Sequence, residues 1–134
     1  MNIYEYLEEN LYLVIYEKFR DHDNFIDTDL SCSYTVIGND YGTDLCIDSK
    51  GEIISLDPDH ELPTRFINQD LKSFLKFLNL FTVYYTKIGE AGEEEQIQIL
   101  EEMKGEFNRI DSRALDNEEN WWSVILEQIE MGLM

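Results

Sequence analysis

Between residues 32 and 56 the apolar residues fall in three short runs of strand-like period, and two turn signals separate the runs. Cys32 to Gly38 (CSYTVIG), Thr43 to Asp48 (TDLCID) and Glu52 to Leu56 (EIISL) are strand candidates. Asn39-Asp40-Tyr41-Gly42 and Ser49-Lys50-Gly51 join them as turns, with Gly51 suited to a positive-φ bulge position. Strands joined by turns this tight form an antiparallel meander. A meander with one apolar face must bury that face against other elements, which constrains the rest of the chain.

The register can be anticipated. Pairing Gly38 with Thr43 sets Val36 against Leu45, and pairing Asp48 with Glu52 sets Ile47 against Ile53. Tyr34, Val36, Leu45, Ile47 and Ile53 then make the core face. Thr35, Ile37, Asp44, Cys46, Asp48 and Ile54 make a mixed opposite face. In this register Cys32 and Cys46 point to opposite faces, so no disulfide is expected, and two thiols fit a reducing, cytoplasmic setting.

Helices are expected on both sides of the meander. Ile3 to Asn10 reads as a short helix. Leu11 to Phe19 (LYLVIYEKF) is long enough for a helix, but its β-branched and aromatic residues favour a strand. Asp21-His22-Asp23-Asn24 breaks that pattern. Leu71, Phe74, Leu75, Leu78 and Phe81 recur at helical spacing, with Asn68 expected as N-cap. A second helix over Glu93 to Phe107 turns Ile97, Leu100, Met103 and Phe107 to one side and glutamates to the other. The last begins near Asp116, where Asp116-x-x-Glu119 resembles a capping box, and it directs Trp122, Ile125, Leu126 and Ile129 inward. Adjacent helical residues diverge by about 100°, so Trp122 is expected in the core and Trp121 less buried, either as a second anchor or as a partner hot spot. Helix, strands, then helices indicate one α+β domain spanning residues 1–134, with no repeat or linker.

Charge narrows the function. The chain carries 29 acidic and 10 basic residues, a net charge of −19. Residues 65–89 are the exception, with 4 bases and 1 acid. Binding to nucleic acid or anionic membrane needs Lys and Arg in quantity, so neither partner is expected. A basic protein partner is favoured, through fast steered association, although acidity alone also keeps a protein soluble. The first residues lack the basic and apolar regions of a signal peptide, and no apolar run reaches the ~18 residues of a membrane span.

Catalytic constellations are not evident. His22 and His60 are the only histidines, and Asp57-Pro58-Asp59-His60-Glu61 has the composition of a solvated turn more than of a metal site. No phosphate-binding loop, nucleophile elbow or zinc spacing is present, and no carboxylate pair is singled out among 29 acids. No metal, cofactor or enzymatic activity is expected, and a carboxylate hydrolase is the least favoured reading. Partner-binding residues are expected to be Asp44 and Asp48 on the mixed sheet face, with Asp57, Asp59 and Glu61 in the following loop. Acids between Glu93 and Glu102 are a second candidate surface, although one charged helix face is more often simply solvated.

Three groups of residues carry a resemblance. Tyr34-Thr35-Val36-Ile37-Gly38, Leu45-Cys46-Ile47-Asp48 and Gly51-Glu52-Ile53 resemble the sheet of the SUKH superfamily of bacterial immunity proteins. Arg65-Phe66-Ile67-Asn68, followed by Phe74-Leu75 and Leu78, is similar to its aromatic–aliphatic–asparagine signature before a helix. Asp111 to Leu115, Trp121-Trp122 and Ile129-Glu130-Met131-Gly132 resemble the C-terminal part of the fourth subgroup. The resemblance covers roughly residues 32–134; a Gly-Leu-Pro-like tract common ahead of the sheet is missing. It implies an α+β fold shared with fungal cell-wall synthesis regulators, and protection against toxins delivered by neighbouring bacteria, many of them nucleases. A cognate toxin is the implied partner. The alternative is a non-catalytic scaffold or regulator of the same fold with a cellular partner.

Overall fold

The computed structural model describes residues 2–21 and 34–132. It is an α+β fold of one five-stranded antiparallel sheet and four α-helices. In chain order these are α1 (Ile3–Leu11), β1 (Leu13–Ile15), a 3₁₀ turn at Glu17–Phe19, β2 (Tyr34–Asp40), β3 (Thr43–Asp48), β4 (Ile53–Leu56), β5 (Arg65–Asn68), α2 (Leu71–Glu90), α3 (Glu93–Ile110) and α4 (Trp121–Glu130). Strand order follows the chain, β1-β2-β3-β4-β5. Leu11 to Phe19 thus contributes only a three-residue strand, followed by the 3₁₀ turn. His22 and Cys32 lie outside the described residues, and so does the expected opposition of Cys32 to Cys46.

The β3–β4 pairing is as expected, with Ile47 opposite Ile53, Cys46 opposite Ile54, and Gly51 at positive φ. The β2–β3 hairpin differs in two ways. It closes two residues later, at Asp40 opposite Thr43, so that Tyr41-Gly42 alone forms the turn. A two-residue displacement leaves the faces of a strand unchanged. A bulge at Ile37 then inserts one extra residue between the Val36–Cys46 and Gly38–Leu45 pairs, and this exchanges the faces on its N-terminal side. Ile37 is buried in the core, while Val36 is 40% exposed and Tyr34 also faces out. The expected core placement of Tyr34 and Val36 is therefore corrected, as is the outward placement of Ile37.

The inner face, with Ile37, Leu45, Ile47, Ile53 and Ile67, joins one apolar core with the helices. Trp122 is the hub, its ring 5.1 to 6.5 Å from those of Phe74, Phe77, Phe81 and Phe107. Trp122 is fully buried and Trp121 only slightly less so, at 6% exposure. Ile97, expected on the core side of α3, is 66% exposed, because only Leu100, Met103 and Phe107 reach the core.

Two expected caps give way to a more informative arrangement. Asp70, not Asn68, caps α2 by accepting a hydrogen bond from the Ser73 amide at 2.8 Å. Asn68 is instead a buried residue of β5, a strand absent from the reading of the sequence. Its amide donates to Asp111 Oδ2 at 3.0 Å, and its carbonyl oxygen accepts from Trp122 Nε1 at 2.9 Å. Asp111 also accepts from the backbone amides of Gln69 and Arg113. The α4 helix starts at Trp121 after Asn120, so Asp116 and Glu119 form no capping box. Asp116 instead accepts from the Asn120 side chain at 3.1 Å. Asn68, Asp111 and Trp122 are thus joined in one buried network, whose polar groups need these partners.

Candidate partner-binding surface

Antiparallel strands bring three connections to one end of the sheet. These are the α1–β1 junction at Tyr12, the β2–β3 turn at Tyr41-Gly42, and the loop from Asp57 to Thr64 that follows β4. Asp44 stands on the helix-free face at this end, opposite Asn39 on one side and Leu56 on the other. Because Leu56 leads directly into Asp57, the register brings Asp44 to the same sheet end as Asp57, Asp59 and Glu61. Asp48 is not part of this group. Four residues along β3, at ~3.4 Å per residue, place it ~14 Å away at the opposite end.

Two of the five carboxylates organise their own loops. Asp57 Oδ1 accepts from the Asp59 amide, and Oδ2 from the amides of Glu61 and Leu62 at 2.9 and 2.8 Å. These bonds stabilise the ionised form and hold the Asp57 carboxyl below its ordinary value, with His60 reinforcing the effect. They also fold the chain tightly enough to leave His60 at φ 57°. Asp48 Oδ1 accepts from the Lys50 and Glu52 amides at 2.9 and 3.0 Å, fixing the β3–β4 turn. Asp59 and Glu61 project as exposed side chains. At the other edge, Arg113 pairs with Glu52 at 2.8 Å and lies 4.5 Å from the Phe66 ring centre, a contact that joins β5 to the segment after α3.

Reading the sequence missed three residues at the same end. Tyr12 and Tyr41 are 64% and 79% exposed, with ring centres 5.5 Å apart. Asp40 accepts a hydrogen bond from Trp121 Nε1 at 2.9 Å, and burial pushes its carboxyl above the ordinary range. Tyr41-Gly42 sat within a turn signal, but no local pattern joins Tyr12 or Trp121 to it. The glutamates of α3 form an exposed face with local pairs such as Glu106–Arg109, which is the solvated arrangement.

Among the described residues no group of three His, Cys, Asp or Glu side chains is placed to hold a metal ion. Cys46 is buried on β3, where desolvation and then Asp44 push its thiol up to about 11, so it stays protonated and weakly nucleophilic at neutral pH. Among these residues no helix is long and apolar enough to cross a membrane.

No curated protein and no solved structure matches the chain. The profile of the SUKH-4 immunity protein family does match, over residues 20–128, which include the whole sheet from β2 to β5, helices α2 and α3, and most of α4. This span takes in the Asn68–Asp111–Trp122 network and the acidic sheet end. The chain belongs to the SUKH-4 immunity protein family.

Proposed function

We propose that the chain neutralises a basic toxin domain of the nuclease kind by binding it through the acidic end of its sheet, without catalysis. The observation that carries this reading is the placement of Asp44, Asp57, Asp59 and Glu61 at one sheet end of a family member with net charge −19. A nuclease must hold a polyanion and so presents Lys and Arg, and an acidic surface complements that charge. Asp48 lies at the far end and would extend the contact along β3. Exposed charges act over about 8 Å at physiological salt, so their main effect falls on the association rate.

The test uses a candidate toxin domain chosen from the genes that neighbour this chain's own, inactivated at its catalytic site and purified. Lys substitutions at Asp44, Asp59 and Glu61 together should slow association by about 10-fold or more and leave the melting temperature within a few degrees. Asp57 and Asp48 are left intact because their carboxylates build loops. Association that is insensitive both to these reversals and to salt would remove the electrostatic reading.

A further inference from the structure

The two exposed tyrosines occupy backbone positions that disfavour them. Tyr12 closes α1 at φ 56°, its amide donating to Glu8 and Leu7 carbonyls, the helix-ending position where glycine is the usual residue. Tyr41 is the first residue of a two-residue hairpin turn, at φ 46° beside Gly42 at φ 94°. Asparagine or glycine is the ordinary choice there. A left-handed conformation is unfavourable for a residue with a Cβ, and asparagine tolerates it best. The fold therefore asks for Asn or Gly twice and receives Tyr twice. The rings meet at a tilt of 52° with most of their surface in solvent, and the Tyr41 amide donates to the Tyr12 carbonyl at 3.3 Å.

Beside the pair opens a cavity of about 170 Å³ lined by Leu11, Leu13, Asp40, Trp121, Ile125 and Gln128, among others. Tyr12 lies in the chain between the lining residues Leu11 and Leu13, and Tyr41 follows the lining residue Asp40, so the pair and the cavity share one end of the sheet although neither ring lines the cavity. Its one carboxylate is Asp40, which among the described residues accepts a side-chain hydrogen bond from Trp121 Nε1 and pairs with no lysine or arginine. Asparagine would keep that bond without the desolvation of a charge, so the fold does not require an acid at this position.

Resting on the toxin-binding reading above, we propose that the Tyr12–Tyr41 pair and the Asp40 cavity form the hot spot of the interface, seating one lysine or arginine side chain of the toxin. The cavity matches a cationic side chain in kind. Leu11, Leu13 and Ile125 cover the methylene stem and Asp40 takes the charge, while the exposed tyrosine pair at the same sheet end offers apolar contact area beside that site. Tyrosines of this exposure are frequent anchors, whereas the acids around them set the approach.

The experiment measures binding of the same inactivated candidate toxin domain to Tyr12→Asn, Tyr41→Asn and Asp40→Asn, with circular dichroism and melting temperature recorded for each. Each substitution should melt at or above the wild-type temperature, and each should weaken binding by about 30-fold or more, chiefly through faster dissociation. Asp40→Asn keeps the Trp121 hydrogen bond and tests the cavity independently of the turns. Binding within twofold of wild type in all three, while reversal of Asp44, Asp59 and Glu61 still slows association, would overturn the hot spot and leave the electrostatic reading standing. A wild-type chain that does not bind the toxin domain would overturn both.

Discussion

Replacing Asn68 with Ala tests the buried network that ties β5 to α3 and α4. The side chain is fully buried, donates to Asp111 Oδ2 at 3.0 Å and accepts from Trp122 Nε1 at 2.9 Å. Alanine removes both bonds and leaves the indole N–H without an acceptor in the core. One buried donor left unsatisfied costs about 1–3 kcal/mol. Loss of one of three donors to Asp111, with two backbone amides remaining, adds about 1 kcal/mol, and the vacated volume adds about 1 kcal/mol more. The expected loss is about 3–5 kcal/mol, which at roughly 3–5 °C per kcal/mol for a chain of this length lowers the melting temperature by about 10–25 °C. Thermal unfolding followed by circular dichroism and tryptophan fluorescence reads this directly. Asn79→Ala is the control: Asn79 is exposed and bonds only the Leu75 carbonyl one turn back, so it should shift stability by no more than about 0.5 kcal/mol. An Asn68→Ala protein within 1 kcal/mol of wild type would refute the claim that this network holds the sheet to the helices.

Three further outcomes follow from local geometry. Gly38→Ala should destabilise strongly and loosen the β1–β2 pairing, because a Cβ there is driven into the Val14 carbonyl oxygen; amide exchange of Ile15 and Tyr16 reads the loss. Cys46 should resist alkylation at pH 8 in the folded protein and react once unfolded, as peptide mapping of its segment would show; its thiol sits near 11. The Asp57 carboxyl is held below its ordinary 3.8, so the stability it contributes is complete above that value and is lost as pH falls through the lower folded-state value. Lowering pH from 5 toward 2 should therefore reduce the protection of the Asp59, Glu61 and Leu62 amides relative to their intrinsic exchange rates at each pH, whereas Asp57→Asn should show low protection throughout.

Periodicity made the α+β order and the β3–β4 register legible, because turn signals and alternation coincide over Thr43 to Leu56. It could not show the bulge at Ile37. A bulge is chosen by which of two neighbouring apolar residues fits the core, and Val36 and Ile37 are nearly equal in hydrophobicity. Strand β5 was hidden for a related reason: four residues ending in Asn look like the approach to a helix, and only Asp111 and Trp122, 43 and 54 positions away, reveal why that Asn is buried. The candidate surface divides in the same way. Charge and the expected meander single out Asp44 and the Asp57–Glu61 loop as candidates, and the register places them at one sheet end. Asp48 shares the face expected for it, but only the strand register shows that it lies at the sheet end opposite Asp44. Tyr12, Tyr41 and Asp40 escaped because their association depends on a helix end, a hairpin turn and α4 converging at one point.

The most direct test of the account is protection in living cells. A candidate toxin domain, chosen from the genes that neighbour this chain's own, is expressed in active form in a susceptible bacterium with and without the chain, while one-to-one binding of the purified pair is measured by calorimetry. The account predicts killing without the chain, growth with it, a complex whose formation slows as salt is raised, and loss of protection when Tyr41→Asn is combined with Asp40→Asn in a variant that remains folded. Cells that die at the same rate with abundant folded chain present, or that survive through it with no complex formed, would contradict neutralisation by binding.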